Sequence, residues 1–324
     1  MILLWGVEGE PPLGRVRDEL QRLRVPTEVL DQRDVLETEV HLSVDAGING
    51  WVRTPRQRID LAAVTGVYLR PFDVRRLPAV SQAGSGSDAW RYAVAVEDAL
   101  SCWADVTPAL VVSRPSAMAA NGSKPYQSER IRWHGFAVPE TLLTTDPEAV
   151  RAFGEQHGAI IYKSISSRRS RVTRLRPEDA ARLADVTWCP TQFQRYIPGR
   201  EHRVHVVGEE IFACQVRSDA DDYRYPGSHE VEIRACTLPG EVEDRCRRLA
   251  AAMDLPVAGI DLRHSPEGEW YCFEVNPMPG FTYYEDAAGQ PIGAAIARLL
   301  AAGARRPHVL QAPSGPTRSF VPNE

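Results

Sequence analysis

The sequence predicts an α/β (α+β) protein built from three successive sheet-bearing units, and three observations carry that reading. Over residues 1–115 short apolar runs alternate with helical-period segments, the pattern of a largely parallel sheet covered by helices. Residues 116–190 hold two helices and two strands around polar loops. Residues 191–303 are richer in strands, several of them adjacent, and end on a helix. A last stretch, 304–324, carries Pro, Gly, Ser and Arg without periodicity and reads as a disordered tail.

In the first unit, Ile2–Val7 is an apolar run that reads as a buried strand. Leu13, Val16, Leu20 and Leu23 fall at helical spacing behind Pro11 and Pro12. Pro26–Leu30 and Val64–Leu69 are the next strands, the latter closed by Arg70-Pro71. Ser81–Asp88 is a Gly/Ser-rich loop. Trp90–Trp103 is a helix with Val96, Ala99, Leu100 and Trp103 on one stripe, and Leu110–Ser113 is a short strand. The second unit gives helices at Gln127–His134 and Pro147–His157 and strands at Ala159–Ile165 and Arg171–Leu175. The third gives strands at Gln192–Ile197, His202–Val207 and Ile211–Val216, and a helix at Glu241–Met253. It continues with strands at Val257–His264 and Trp270–Asn276 and a closing helix at Pro291–Leu300.

Composition narrows the function classes. The net charge of −5 argues against a chain-wide basic surface, so no nucleic-acid partner is expected. No run is apolar for long enough to span a bilayer, so no membrane partner is expected either. The first residues lack a basic n-region, and the six cysteines include no CxxC pair. Both facts suit reduced thiols in a cytoplasmic enzyme rather than a secreted or zinc protein. A sharper feature is the cation count: 36 arginines but only two lysines, Lys124 and Lys163. Two residues must fall somewhere, so position decides whether they matter. A compact ammonium does what a planar guanidinium does not.

The strongest local signal is the pair Gly259-Ile-Asp-Leu262 and Phe273-Glu-Val-Asn-Pro277. Strand alternation puts Glu274 and Asn276 on one face and Phe273 and Val275 on the other. The connecting turn folds Asp261 back opposite Glu274. Two carboxylates and an amide oxygen converge in an apolar setting, where close acids would repel without a cation, and Asp261, Glu274 and Asn276 suit Mg²⁺ in a site of the open kind that keeps positions for phosphate and water. The plainer alternative is acids on the wet face of a hairpin. Lys163 ends the apolar run Ile160-Ile-Tyr162 and precedes the polar loop Ser164–Arg171, a setting that suits phosphate contact. Lys124 follows Asn121-Gly-Ser123 at a helix start, where anions are also favoured. The segment Gln194-Arg195-Tyr196-Ile197-Pro-Gly199 offers backbone groups and apolar side chains to a flat base, with the acid Glu201 just beyond.

In this order the elements resemble an ATP-grasp ligase of the RimK-like kind. The resemblance runs through Lys124, Val138-Pro-Glu-Thr141, Lys163, Gln194–Ile197, Glu201-His-Arg203-Val-His-Val-Val-Gly208, Asp261 and Phe273–Gly280. It covers about residues 115–302, and Gly66-Val-Tyr-Leu-Arg-Pro71 is similar to the N-terminal domain of the enzymes that make graspetides, macrocyclised ribosomal peptides. The resemblance implies an N-terminal pre-ATP-grasp domain and two subdomains clamping ATP. Lys124 and Lys163 would contact phosphates, Gln194, Arg195, Tyr196 and Ile197 would line adenine, and Glu201 would bind ribose. Asp261, Glu274 and Asn276 would hold Mg²⁺, with Mn²⁺ as a substitute. Arg203 and Arg217 would face the γ-phosphate or an acyl phosphate, and Arg234 would bind phosphate or substrate. The metal segment continues as Met278-Pro-Gly-Phe281, a departure from the Asn-Gly form frequent in graspetide enzymes.

The expected reaction is ATP-dependent activation of a carboxylate to an acyl phosphate, then displacement of phosphate by an amine or a hydroxyl. The partners are thus a carboxylate donor and an acceptor, including a precursor peptide as one candidate, and a homo-oligomer is one candidate state. Other readings are a ligase joining an amino acid to a small molecule, a kinase on the same clamp, and a nucleotide-binding protein without turnover. The loop Ser218–His229 reads equally as a substrate rim or as an acidic surface loop. His202 and His205 lie on one expected strand and read as structural or exposed residues rather than catalytic ones.

Overall fold

The computed structural model describes residues 1–44, 47–164, 172–218, 224–225 and 230–303. The tail expected at 304–324, the loop 165–171 and most of the loop 218–229 lie outside the described residues.

The chain runs β1 (Ile2–Gly6), α1 (Pro11–Arg22), β2 (Thr27–Asp31), β3 (Glu39–Val44), β4 (Ile48–Arg53), β5 (Arg58–Asp60), β6 (Gly66–Arg70), α2 (Pro78–Gln82), α3 (Asp88–Val106) and β7 (Leu110–Val112). It continues through α4 (Pro115–Met118), α5 (Lys124–Trp133), β8 (Thr141–Thr144), α6 (Pro147–His157), β9 (Ile160–Ser164), β10 (Thr173–Arg174), a 3₁₀ segment (Pro177–Trp188) and β11 (Thr191–Arg195). Then come β12 (Arg200–Val207), β13 (Glu210–Ser218), β14 (Val231–Cys236), α7 (Gly240–Ala252), β15 (Val257–His264), β16 (Trp270–Asn276), α8 (Thr282–Ala288) and α9 (Ile292–Ala302).

The first sheet is parallel, in the order β2-β1-β6-β7. Its strands are buried on both faces, which is why they read as unbroken apolar runs. Leu3, Trp5, Val67, Leu69 and Val111 face α3, while Ile2, Leu4, Tyr68 and Val112 face α1 and α9. The helix α3 starts where Ser87 accepts a hydrogen bond from the Trp90 N–H at 3.1 Å. A small antiparallel sheet, β3-β4-β5, packs Val52 and Ile59 into the α3 side of this core. Val40, Leu42 and Val44 in β3 alternate with polar residues, a period-2 strand pattern, and this sheet adds to the expected strands.

The second sheet is antiparallel, in the order β10-β9-β11-β8, with α6 and the 3₁₀ segment covering one face through Val150, Leu183 and Val186 against Phe193 of β11. The strand Thr191–Arg195, expected in the third unit, is hydrogen-bonded between β8 and β9. The passage to the third sheet therefore falls after Arg195 and not before Thr191. The Pro198-Gly199 break sits at that passage. Gly199 has φ +142°, and a Cβ there would meet the His264 carbonyl oxygen at 2.2 Å.

The third sheet is antiparallel, in the order β14-β13-β12-β15-β16. One face buries Val204, Ala213, Ile260, Leu262 and Val275 against α5 and α7. On the other face, Val207, Phe212 and Val257 pack with α9. Thus α9, last in the third unit by sequence, also completes the first sheet: Leu300, Ile296 and Ile292 share a core with Ile2, Leu4 and Leu13.

Glu97 on α3 borders a small internal space with Trp5, Asp31 and Val35. Burial, joined by Asp73 and Asp98 and opposed by Arg75, pushes its carboxyl up to about 7. The folded state then holds the proton more tightly than the unfolded chain. Stability from this group is full below the unfolded carboxyl pKa and is lost as pH rises through about 7. Glu97→Gln is expected to flatten the fall in urea midpoint between pH 5 and pH 8 relative to the parent. Parallel pH profiles of the two proteins would contradict this assignment.

Candidate active site

The cleft between the second and third sheets collects most of the residues that the sequence singles out. With the solvent at its mouth it encloses about 740 Å³. Lys163, Gln194, Tyr196 and Ile197 line it from the second sheet and the passage, and Glu201, Asp261, Arg263, Phe273 and Glu274 line it from the third.

Alternation in β9 and β11 explains which side chains arrive. Ile160, Tyr162 and Phe193 face the helices, so Ile161, Lys163 and Gln194 face the cleft. Lys163 is buried, and its loss of hydration pulls the ammonium down to about 8. Glu274 and Asp261 oppose that shift, and Lys124 and Arg224 add to it. Gln194 donates to Thr141 Oγ1 at 2.9 Å, and its own Oε1 is buried without a hydrogen-bond partner. The same alternation turns Arg195 away: it lies on the outer side, 3.4 Å from Glu140. Of that residue only the backbone remains available to the cleft. Glu201 accepts from Arg263 Nη2 at 3.2 Å, and Arg263 Nη1 donates to the Ile197 carbonyl at 2.9 Å.

In the third sheet Asp261 and Glu274 are register partners, as are Asp261 and Arg203. Arg203 Nη1 donates to Asp261 Oδ1 at 2.6 Å. Lys124, the first residue of α5, forms an ion pair with Glu274 Oε1. Burial opposes ionisation of Glu274, but Lys124, Lys163 and Arg224 outweigh it and hold the carboxyl below its ordinary range. Asn276 lies across from Gly259, and its Oδ1 accepts the Met278 N–H at 2.9 Å. Gly259 is required: a Cβ there would stand 2.2 Å from Arg203 Nη2 and 2.7 Å from Pro279 Cβ.

Strict alternation fails at one place. A bulge shifts the register so that Asp261 pairs with Glu274 but Leu262 with Cys272. Phe273 is the extra residue and joins Glu274 in the cleft, where Arg263 lies 5.0 Å from its ring centroid. The expectation that Phe273 shares the core with Val275 is therefore corrected, while Cys272 and Val275 are both in the core.

Arg217 and Arg234 are not brought together with Arg203. In register, Arg203 opposes Cys214, whereas Arg217 opposes Glu232 and Arg234 opposes Gln215, so both arginines take the opposite face of the sheet. There they are exposed and share Glu232. Of the loop 218–229, Arg224 is described and lines the cleft.

Three supports were not visible in the sequence because they join distant segments. Gln127 on α5 forks onto β16, donating to the Val275 carbonyl at 2.8 Å and accepting from its N–H at 3.0 Å. Ser113 Oγ donates to the Pro277 carbonyl at 3.0 Å. Arg70, buried and paired with Glu10, donates to the Pro279 carbonyl at 2.9 Å. The segment after Asn276 is thus tied to the first sheet from two points.

Paired antiparallel sheets that face each other over a buried lysine and opposed carboxylates define the ATP-grasp fold. A RimK-like ATP-grasp domain model matches residues 127–300, more than half of the chain, and the protein belongs to that family. ATP-grasp ligase PsnB, solved with a phosphomimetic variant of its minimal precursor, Mg and ADP, is 25 % identical with a TM-score of 0.77, over 93 % of this chain and 98 % of that one. The RiPP-associated ATP-grasp ligase of Chryseobacterium gregarium, solved with ADP and a leader and core peptide, has a TM-score of 0.80 at 20 % identity, over 95 % and 99 % of the two chains. N-acetylaspartylglutamate synthase A of Mus musculus is 22 % identical over 200 residues, 58 % of this chain and 52 % of that protein. The chain spans about half the length of the curated relatives it matches. No helix among the described residues is long and apolar enough to cross a membrane.

The packing at Gly259 gives a direct test. Gly259→Ala is expected to push Arg203 off Asp261 and to cost about 1–3 kcal/mol in urea denaturation, the usual range for overpacking. An unchanged midpoint would mean that the Arg203–Asp261 pair relaxes freely.

Proposed function

We propose that this protein is an ATP-dependent carboxylate–amine ligase that forms an amide, or an ester, through an acyl phosphate and releases ADP and phosphate. The observation that carries the reading is the set Lys163, Lys124, Glu274, Asp261 and Arg203 gathered at one cleft, with buried cations set against carboxylates. Both lysines of the chain act on Glu274, Lys124 by an ion pair and Lys163 through its charge, which favours position over chance.

In this reading Lys163 and Lys124 neutralise the phosphates, and Gln194, Tyr196 and Ile197 hold the base against the second sheet. Glu201, steadied by Arg263, takes the ribose. Arg203 faces the phosphoryl group in transfer. The donor carboxylate displaces ADP from the γ-phosphorus, and the acceptor amine then expels phosphate from the acyl carbon. The cleft residues position these groups and offset their charge, and we assign no general base.

Asp261, Glu274 and Asn276 fit Mg²⁺ by their chemistry. Among the described residues no cluster of three His, Cys, Asp or Glu side chains is present. Two carboxylates and an amide are too few to cage an ion alone, and they suit a cation that arrives with phosphate oxygens. When bound, the ion would offset phosphate charge, and Mn²⁺ would substitute for it.

The precursor peptide bound to PsnB, at 25 % identity over nearly all of both chains, supports a peptide as the modified substrate here. Free cysteines throughout the chain agree with a cytoplasmic setting.

Calorimetry with ADP and Mg²⁺ is expected to show binding that Glu274→Ala weakens at least tenfold. Binding indifferent to this substitution would remove the metal site, and the ligase reading with it. Given binding, ADP release that requires both a carboxylate donor and an amine distinguishes ligase from kinase or passive nucleotide binder.

A further inference from the structure

We propose that His205, acting as a neutral imidazole behind the cleft, is the positioning residue that fixes the orientation of the Arg203 guanidinium. The inference rests on the placement of Arg203 at the phosphoryl group given above. His205 is two residues along β12 from Arg203, so the two side chains leave the same face of the strand. Arg203 Nε donates to His205 Nε2 at 3.4 Å. The Tyr284 ring closes the other side, 5.2 Å from the His205 ring and 5.4 Å from the guanidinium carbon. Gly259 leaves room for Nη2, and Asp261 takes Nη1 at 2.6 Å. The guanidinium is thereby fixed at Nε by an acceptor, at Nη1 by a carboxylate and on one face by an aromatic ring.

His205 is 0 % exposed. An imidazole that accepts at Nε2 must carry its proton on Nδ1. Nδ1 makes no hydrogen bond of ordinary geometry, and the Gly280 backbone is the polar group that favours a proton on the ring. Burial and the adjoining guanidinium both disfavour a second proton, so the ring remains an acceptor. An apolar residue of similar shape would keep the packing against Tyr284 and lose the acceptor. Such a change aims at the direction of Arg203 and not at the stability of the core. In the sequence His205 reads as structural or exposed, and its contact with Arg203 appears only in the folded strand.

The test compares two nucleotides that differ by the group Arg203 is placed to meet. Calorimetry with Mg²⁺ measures ADP and a non-hydrolysable ATP analogue on the parent protein, His205→Phe and His205→Gln. His205→Phe is expected to leave ADP affinity within about twofold and to weaken the analogue about tenfold, the loss of one hydrogen bond to a charged group. His205→Gln, which restores an acceptor, is expected to recover most of that preference. An unchanged ratio of the two affinities in His205→Phe overturns the proposal. If the parent binds neither nucleotide, the ligase reading fails first, and the two failures are thus separate. Should His205→Phe fold poorly, ¹⁵N-histidine NMR of the parent decides: a neutral ring protonated on Nδ1 supports the assignment, and one protonated on Nε2 refutes it.

Discussion

Charge taken out of water must be answered by charge, and the cleft depends on that constraint. Arg203, Lys163 and Arg70 are all buried, each at a cost of several kcal/mol if left uncompensated. Two of the three answers come from another part of the chain: Asp261 lies on the next strand from Arg203, and Glu10 reaches Arg70 from the start of α1. Lys163 has less complete compensation, which is why its ammonium falls to about 8 while Arg203 keeps a close carboxylate. A buried cation with an incomplete set of partners is what an anionic ligand can complete.

The same constraint explains why the segment after Asn276 is held so firmly. Its carbonyls at 277 and 279 accept from Ser113 and Arg70 of the first sheet, and the strand leading into it is gripped by Gln127. Pro279 also presses on Gly259, beneath Arg203. The first sheet therefore contributes to the geometry of the cleft without lining it. Mutations around Arg70 would be felt at the carboxylates through backbone position and not through direct contact.

Much of this was legible in the sequence, for physical reasons that differ by residue. Asp261 and Glu274 could be placed opposite each other because a short connection, residues 265–269, folds one apolar strand back on the next. The two lysines stood out because arginine is so abundant elsewhere. Phe273 could not be placed, since a bulge is set by the pairing of both strands and not by either one. Arg217 and Arg234 followed motif order, but strand parity sends them to the other face. Arg195 was read as part of a continuous segment, while a strand shows only every second side chain to a given surface. The supports Gln127, Ser113 and Arg70 carry no local signal, because each partner is more than one hundred residues away.

The position of α9 has a consequence for synthesis. Ile2, Leu4 and Leu13 bury themselves against Ile292, Ile296 and Leu300, so the face of the first sheet that α1 and α9 share is only partly covered until α9 is made. During translation the N-terminal strands emerge long before their covering does. Removing α9 would uncover the part of this apolar face that α1 leaves open, far away in the sequence.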